Sequence, residues 1–350
     1  MPLSLTGVTR EELTALMLEW GERPFRAQQV WSWVHVKLAG DVEEMTDLSK
    51  PFRARLAAEC APLRPRMLSH CVSQDGTEKW LLAFEDNVAV ETVFIPETNR
   101  GTICVSSQAG CSLACPFCRT GTLPLQRNLS ASEIVQQVTF ARATLAARGI
   151  RVTNVVLMGM GEPLYNLESV IRAVKIIMDG NGLAIGCRKV TLSTAGVVSR
   201  MAEAGRHLNI NLAISLHSVR DEVRNRLVPI NQKFNLTALR QAALAWPLKD
   251  RGRITWEYVL LQGVNDSPQD ARELVAWLKG IPSKVNLLAF NPWPNTPFLP
   301  SSKETILRFQ EIVASAGLVT IIRDSRGSDV GAACGQLAGN DATVHMSNPS

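Results

Sequence analysis

Apolar positions recur at helical spacing in the first part of the chain. Leu13, Leu16, Met17 and Trp20 make one stripe, behind Thr9 and Glu12, whose spacing is that of a capping box. Val30, Trp31, Val34 and Leu38 make a second, opened by Pro24, a residue tolerated where a helix starts. Phe52, Leu56 and Ala57 mark a third. Residues 1–62 therefore read as a small helical domain of helix-hairpin-helix-like type. From residue 69 the period falls to two. Trp80–Phe84 and Val88–Ile95 flank Glu85-Asp-Asn87, a hairpin turn signal, so residues 63–100 are predicted to be an accessory β segment. Alternation puts Ala89, Glu91, Val93 and Ile95 on one face. A carboxylate among apolar neighbours is costly unless paired or protonated. Glu91 is accordingly expected at an exposed edge or beside an arginine.

Beyond residue 101 strand-length apolar runs alternate with helical stripes. Strands are predicted near 102–106, 153–158, 188–193, 209–215, 253–261 and 284–290. Helices are predicted near 131–148, 167–179, 197–205, 235–247, 267–279 and 302–316, the first with a Ser130/Glu133 capping box and Gly149 as its stop. A seventh apolar run, Leu318–Ile322, closes the series. Six β/α units with parallel strands make an α/β fold, a (β/α)6 partial TIM-type barrel over residues 101–340, followed by a loose polar tail at 341–350. In such barrels the working residues lie where strands end. The loop Cys111–Cys118 follows the first strand, Gly159-Met-Gly-Glu-Pro163 the second, Ser193-Thr-Ala-Gly196 the third, Ser215-Leu-His217 the fourth and Asn291-Pro-Trp-Pro294 the sixth. Polar groups and glycines thus recur at the same end of successive units.

Composition narrows the class. With 46% hydrophobic and 20% charged residues in 350, the chain is globular, with room for one large domain and one small. No apolar run approaches membrane-spanning length, and the N-terminus lacks the basic flank and apolar core of a signal peptide. The cytoplasm is expected, with thiols kept reduced. The net charge of +5 suits an acidic partner such as RNA but is common in other proteins. Arg53, Arg55, Arg64 and Arg66 cluster near the third helix and read as a solvated face sooner than as an RNA contact.

The chemistry centres on Cys111-Ser-Leu-Ala-Cys-Pro-Phe-Cys118, three thiols at C-x3-C-x2-C spacing. Three thiolates on a four-iron cluster leave one iron open to an outside ligand. A structural zinc site wants four ligands, often as two knuckles, and no second knuckle follows. Cys115-Pro-Phe-Cys118 alone also fits a thioredoxin-like redox pair, in which Cys111 has no part.

The cluster loop is the signature of radical S-adenosylmethionine (SAM) enzymes. Further residues carry a closer likeness: Val90-Glu-Thr92, Thr102-Ile-Cys-Val-Ser-Ser-Gln108, Gly159–Pro163, Leu192–Val197, Ser215–His217, Val228-Pro-Ile-Asn231 and Gly331-Ala-Ala-Cys-Gly-Gln-Leu-Ala-Gly339. Over nearly its whole length, helical N-terminus included, the chain resembles the RlmN/Cfr family of radical SAM RNA methyltransferases. The resemblance implies a [4Fe–4S] cluster on Cys111, Cys115 and Cys118, and SAM bound by Gly161, Glu162, Ser193, Ser215, Leu216, His217 and Asn291. It implies that Cys334 carries the methyl group as S-methylcysteine, that Glu91 is the proton acceptor, and that Cys104 is the resolving thiol, forming a transient disulfide with Cys334. Taken one at a time, Gly161 reads equally as a turn, Ser193 as a strand-end cap, His217 as a surface histidine, and Cys104, Cys60, Cys71 and Cys187 as core cysteines.

The same resemblance implies the substrates: adenine C2 in 23S rRNA, at the peptidyl-transferase centre, and in tRNA. It implies an RNA-binding role for the N-terminal domain, an electron donor such as flavodoxin, no membrane and a monomer. Methylation at adenine C8, as in Cfr, is the nearest rival, and a non-catalytic zinc-stabilised RNA-binding protein is a rival of another class. Arg119 departs from the family's small residue after the third cysteine, and the tail is short.

Overall fold

The structure, a computed structural model, describes residues 3–249 and 252–338. Three helices come first: α1 (Arg10–Glu19), α2 (Phe25–His35) and α3 (Lys50–Glu59). Thr9 and Glu12 cap each other's backbone ahead of α1, and Pro24 stands at the start of α2. The expected stripes are buried: Leu13 and Met17, Val30, Trp31 and Val34, and Phe52 and Leu56 all enter one core. The arginines near α3 do more than face water. Arg53 donates to the Glu43 carbonyl at 2.6 Å, Arg55 to the Trp20 carbonyl at 3.0 Å, Arg64 to the Leu38 carbonyl and Arg66 to Asn87 at 2.9 Å.

Among the described residues ten strands form one sheet. Its order is β1 (Arg66–Val72), β2 (Glu78–Ala83), β3 (Ala89–Glu97), β4 (Arg100–Cys104), β7 (Asn154–Leu157), β8 (Val190–Thr194), β9 (Asn211–Ser215), β10 (Ile254–Leu260), β11 (Ser283–Ala289) and β12 (Val319–Arg323). Between β4 and β7 in the chain, β5 (Gln108–Ala109) and β6 (Arg127–Asn128) pair as a small ribbon. The strands from β4 to β12 in the large sheet are parallel, and those from β1 to β4 antiparallel. The helices α4 (Ala131–Ala146), α5 (Leu167–Met178), α6 (Val198–His207), α8 (Leu236–Leu244), α9 (Pro268–Leu278) and α10 (Lys303–Ser315) make the crossovers. This is the expected partial barrel, with the seventh apolar run as its last parallel strand.

Three features differ from the sequence reading. The accessory segment is not a separate hairpin: three strands continue the barrel sheet, because β3 pairs with β4 from Val93↔Cys104 to Glu97↔Arg100. A further helix, α7 (Asp221–Leu227), is too short for its two apolar positions to show a period. The ribbon of β5 and β6 has only two residues on each side, which also leaves no pattern. The polar tail at 341–350, and Gly339 before it, lie outside the described residues. No helix among the described residues is long and apolar enough to cross a membrane.

The N-terminal helices share one continuous core with the barrel. Gly7 permits the approach: a Cβ there would stand 2.8 Å from that of Ser132 on α4. Next to it Thr6 and Ser132 share a 2.6 Å hydrogen bond. On the other side Gly182 packs on Trp31, at whose indole nitrogen a Cβ would arrive within 2.9 Å. His35 lies buried beside Trp31, ring centroids 4.1 Å apart, and neither of its ring nitrogens has a hydrogen-bond partner among the described residues.

Burial lowers the His35 pKa from an ordinary 6.5 to about 3, so the imidazole is neutral in the folded chain. Below 6.5 the unfolded chain takes up a proton that the folded chain refuses, so stability present above that value is lost as pH falls toward 3. One such group costs about 1.4 kcal/mol per pH unit in that window. His35→Leu should remove this component and flatten the loss of stability on going from neutral pH to about pH 5. Urea unfolding followed by tryptophan fluorescence at several pH values checks this. A slope equal to that of the native chain would show that His35 is not the group responsible.

Candidate active site

Seven parallel strands place their C-terminal ends on one rim, and the loops leaving that rim close over a cavity of about 180 Å³. The cysteine loop leaves β4 by way of β5. It turns tightly: Ala114 has φ +53°, a left-handed conformation unusual for a residue with a Cβ, and the Cys118 N–H donates to the Cys115 carbonyl at 3.0 Å. Gly121 packs on the loop so closely that a Cβ would meet the Cys115 carbonyl oxygen at 2.6 Å. From across the rim Trp293 donates its indole N–H to the Phe117 carbonyl at 3.1 Å.

Cys111, Cys115 and Cys118 all line the cavity. Burial raises the pKa of each thiol, that of Cys111 to about 12. At Cys115 the neighbouring thiols add to the rise, and at Cys118 the N–H groups of Gly121 and Thr120 oppose it. Thiolates this crowded need positive charge between them. No group of three or more His, Cys, Asp or Glu side chains among the described residues is placed to hold a single metal ion. Three thiols bordering an open volume, with backbone N–H groups beside them, instead fit a cluster.

Gly161 and Glu162 follow β7 on the same cavity. Gly161 has φ +95°, and a Cβ would lie 2.4 Å from that of Gln108, so this is no ordinary turn. Gln108 takes the Glu162 N–H on Oε1 at 2.7 Å and donates to Asn128 at 2.7 Å. The Glu162 carboxylate accepts the N–H of Leu164 at 3.0 Å and that of Ala195 at 2.8 Å. Burial nonetheless raises its pKa to about 7, with those hydrogen bonds opposing. A buried carboxylate in that range gains strongly from an incoming ammonium.

Ser193, Ser215, His217 and Asn291 line the cavity as well. His217 is not a surface residue. It is buried with φ +59°, and its Nδ1 accepts the Val259 N–H at 3.0 Å. Burial lowers its pKa to about 3, so the ring is neutral and Nε2 carries its proton. Leu216 differs from its neighbours. Its side chain is fully buried in the main core, and only its backbone stays near the rim.

Cys334 comes from the other end of the chain. The segment after β12 turns at Gly327, Gly331 and Gly335, all with positive φ, and returns across the mouth of the barrel. Its Gly335 and Leu337 carbonyls accept from the Arg119 N–H at 2.6 Å and the Thr120 hydroxyl at 2.7 Å. The Arg119 side chain lies over Trp293, 5.5 Å from the ring centroid. Cys334 thus joins the cluster-type thiols on one cavity. Cys104, at the end of β4, is buried and does not line it. Burial raises its pKa to about 12, and the nearby Cys334 thiol adds to the effect. None of the eight cysteines is in a disulfide. Cys60, Cys71 and Cys187, expected in the core, are half-exposed. Lys249 donates to Cys187 at 3.0 Å and lowers its pKa.

Glu91 corrects both expectations made for it. It is 1% exposed, and its partner is a lysine: Lys79 Nζ lies 2.8 Å from Oε1. Its Oε2 accepts the Ala338 N–H at 2.5 Å. Other residues escaped the sequence reading altogether. Arg224, fully buried, donates to the carbonyls of Leu216 at 3.0 Å, Ser215 at 3.0 Å and Ala195 at 2.7 Å, and to Asn231 at 2.7 Å. Burial lowers its pKa to about 10, which leaves it charged at neutral pH. Glu257 and Arg323 line the cavity beside Cys334, and Asn286 donates to Glu257 at 2.9 Å. One signal was available: Glu257 interrupts an apolar strand, Ile-Thr-Trp-Glu-Tyr-Val-Leu, that is buried throughout.

A partial parallel barrel with three thiols at its rim, beside a glycine-led carboxylate, defines a radical SAM enzyme, which works with a [4Fe–4S] cluster and SAM. Residues 105–275 match the radical SAM superfamily, and residues 3–61 match the ribosomal RNA large subunit methyltransferase N-terminal domain. The chain is 62% identical to the dual-specificity RNA methyltransferase RlmN of Magnetococcus marinus, over 96% of this chain and 95% of that protein. It is 48% identical to RlmN of Rhodospirillum rubrum, over 96% and 80%. A radical SAM methyltransferase from Sphaerobacter thermophilus superposes with a TM-score of 0.93 at 40% identity, covering 97% of this chain and 100% of that one. The chain belongs to the RlmN family of radical SAM RNA methyltransferases.

Removing Arg224 would take a donor from three carbonyls at the ends of two strands, of which that of Leu216 would keep the Ser218 N–H at 2.8 Å. Arg224→Met should cost about 3 kcal/mol, the scale for buried acceptors left unmade, and should weaken SAM binding. Lysine should not rescue it, since its single ammonium cannot reproduce the fork. Thermal melts and SAM titration of the two variants check both statements.

Proposed function

We propose that this chain methylates C2 of adenine in RNA, in 23S rRNA at the peptidyl-transferase centre and in tRNA, by way of a methyl group carried on Cys334. The observation that supports this most is the shared cavity. Cys111, Cys115, Cys118, Glu162 and Cys334 all line it, and Cys104 stands near enough to Cys334 for the Cys334 thiol to add to the rise of its pKa. The relatives' name, dual-specificity RNA methyltransferase, supports two kinds of RNA as substrate.

In this reading Cys111, Cys115 and Cys118 hold the [4Fe–4S] cluster. Glu162 and the Gly161 backbone receive the SAM amino group. Ser193, Ser215, the Leu216 backbone, His217 through Nε2–H, and Asn291 surround the rest. Bound there, the cluster and SAM supply a reducing electron and a radical able to take hydrogen from an unactivated methyl group. The chain's own side chains do the remainder. Adenine C2 has no lone pair with which to attack the SAM methyl, whereas the Cys334 thiolate does. Its Sγ forms the new S–CH3 bond as the sulfonium–carbon bond breaks and S-adenosylhomocysteine leaves. Once the S-methyl has lost a hydrogen atom, its carbon joins C2 and links Cys334 to the RNA. Glu91 accepts the C2 proton as the adduct radical gives up one electron, which a bound cluster would take back. The Cys104 thiolate attacks Cys334 Sγ, the S–CH2 bond breaks with its electron pair passing to the carbon, which takes up a proton to complete the methyl group; the RNA departs, and a disulfide remains for cellular reductants to reopen. The chain acts as a cytoplasmic monomer, with its N-terminal helices contacting RNA and a flavodoxin-type protein as electron donor.

Anaerobic incubation with SAM, reductant and protein-free rRNA or tRNA, followed by nucleoside mass spectrometry, tests the reaction. The expected product is 2-methyladenosine; 8-methyladenosine, or no modified adenosine, overturns the proposal. Cys115→Ala should lose iron and all RNA methylation, whereas full iron content with normal turnover would remove the cysteine from the ligand set. The two other thiols should fail differently. Cys334→Ala should yield no methyl-cysteine and no modified RNA. Cys104→Ala should accept the methyl and then stop as a covalent protein–RNA adduct, seen as a shifted band on a denaturing gel with labelled RNA. Normal release of RNA by Cys104→Ala would leave Cys104 a core residue.

A further inference from the structure

Lys79 is a lysine inside the barrel. It lies on β2 opposite Val93 and is 7% exposed. Burying an ammonium without a partner is expensive, so its position is dictated by what it pairs with. Its Nζ lies 2.8 Å from Glu91 Oε1 and gives a 3.2 Å hydrogen bond to the Gly331 carbonyl. The second oxygen of the same carboxylate takes the Ala338 N–H at 2.5 Å. Gly331 and Ala338 stand on either side of Cys334 in the chain. Lys79 and Glu91 therefore close a ring on this segment, from a carbonyl before the cysteine to an amide after it.

We infer that Lys79 is a positioning residue: with Glu91 it clamps both ends of residues 331–338, so that Cys334 arches between them onto the cavity. The inference deepens the reaction proposed above and rests on it for the purpose of the clamp. The residue types fit the task. A compact ammonium has three donors and can serve a carboxylate and a carbonyl together. Gly331 has φ +62°, a left-handed conformation that favours glycine and turns its carbonyl toward Lys79 Nζ. The start of the segment is tied separately to the turn between β1 and β2, where Asp75 accepts the Gly327 N–H at 3.0 Å and Ser73 donates to Asp329 at 2.6 Å. Without the clamp the segment would keep its ties at the start and the bonds of its Gly335 and Leu337 carbonyls to Arg119 and Thr120, but would lose its anchor on the sheet.

The test uses cluster-loaded protein without RNA. Hydrogen–deuterium exchange across residues 331–338 should rise about tenfold in Lys79→Met, the scale of one hydrogen bond to a charged group. It should return toward that of the native chain in Lys79→Arg, which keeps the charge and several donors. Iron content should be unchanged in both, while the yield of methyl-Cys334 after exposure to SAM should fall in Lys79→Met and recover in Lys79→Arg. If Lys79→Met does not fold, the double variant Lys79→Gln/Glu91→Gln removes the ion pair without leaving a lone buried charge, and it too should exchange faster than the native chain. Native exchange in the variant that folds overturns the clamp. If the reaction proposed for Glu91 is wrong, the exchange result still stands, because it is read with no RNA present.

Discussion

In a parallel sheet every strand ends on the same rim, and the loops leaving that rim have no ladder to satisfy their backbone groups. A buried carbonyl or amide without a partner is costly. In this chain buried polar side chains make up the deficit. Arg224 takes the carbonyls of Ala195, Ser215 and Leu216, and Glu162 takes the amides of Leu164 and Ala195. Asn265 reaches the His217 carbonyl at 2.6 Å and that of Val259 at 2.8 Å. The groups that hold the loops in shape are thus the groups that shape the cavity, and loop geometry cannot be altered without altering the site.

The same burial sets the electrostatics. His217 is held neutral, Glu162 is poised near neutrality, and the thiols are pushed upward. The shifts at Glu162 and at the thiols oppose negative charge that binding would stabilise: iron for the thiols, an ammonium for Glu162. A site of this kind is less favourable empty than occupied, which is a physical reason for it to bind cationic and metallic groups tightly.

The strands β1 to β3 give the molecule its asymmetry. A bare (β/α)6 barrel would present an open sheet edge at β4 and nothing to seat a C-terminal segment. Continuing the sheet antiparallel covers that edge and adds an inner face bearing Lys79 and Glu91. The chain beyond β12 is drawn back to that face and to the turn before β2, so its last described residues cross the mouth of the barrel.

Local signals were legible in the sequence. Helical and strand periods, the capping boxes at Thr9 and Ser130, and the alternation of β and α units depend on neighbours within a few residues, and the structure keeps them. The cysteine spacing and the polar residues at successive strand ends were readable for the same reason, since a parallel barrel brings all strand ends to one rim. What depends on residues far apart was not. Glu91 looked like an edge residue because its partner, Lys79, is adjacent only through the β2–β3 register and the fold that buries both. Arg224 escaped notice because nothing within a few residues marks it out, and only the packing of β8 against β9 brings together the carbonyls it serves. That the Cys334 thiol lies near enough to act on Cys104 depends on a segment from the end of the chain returning to a strand nearer its start. The sequence by itself determined the longer elements, their order and the residue types at their ends, because those follow from local periods and spacings. The tertiary structure alone decided which buried charges are paired and which thiols share a cavity, because closing the sheet is what brings their residues together.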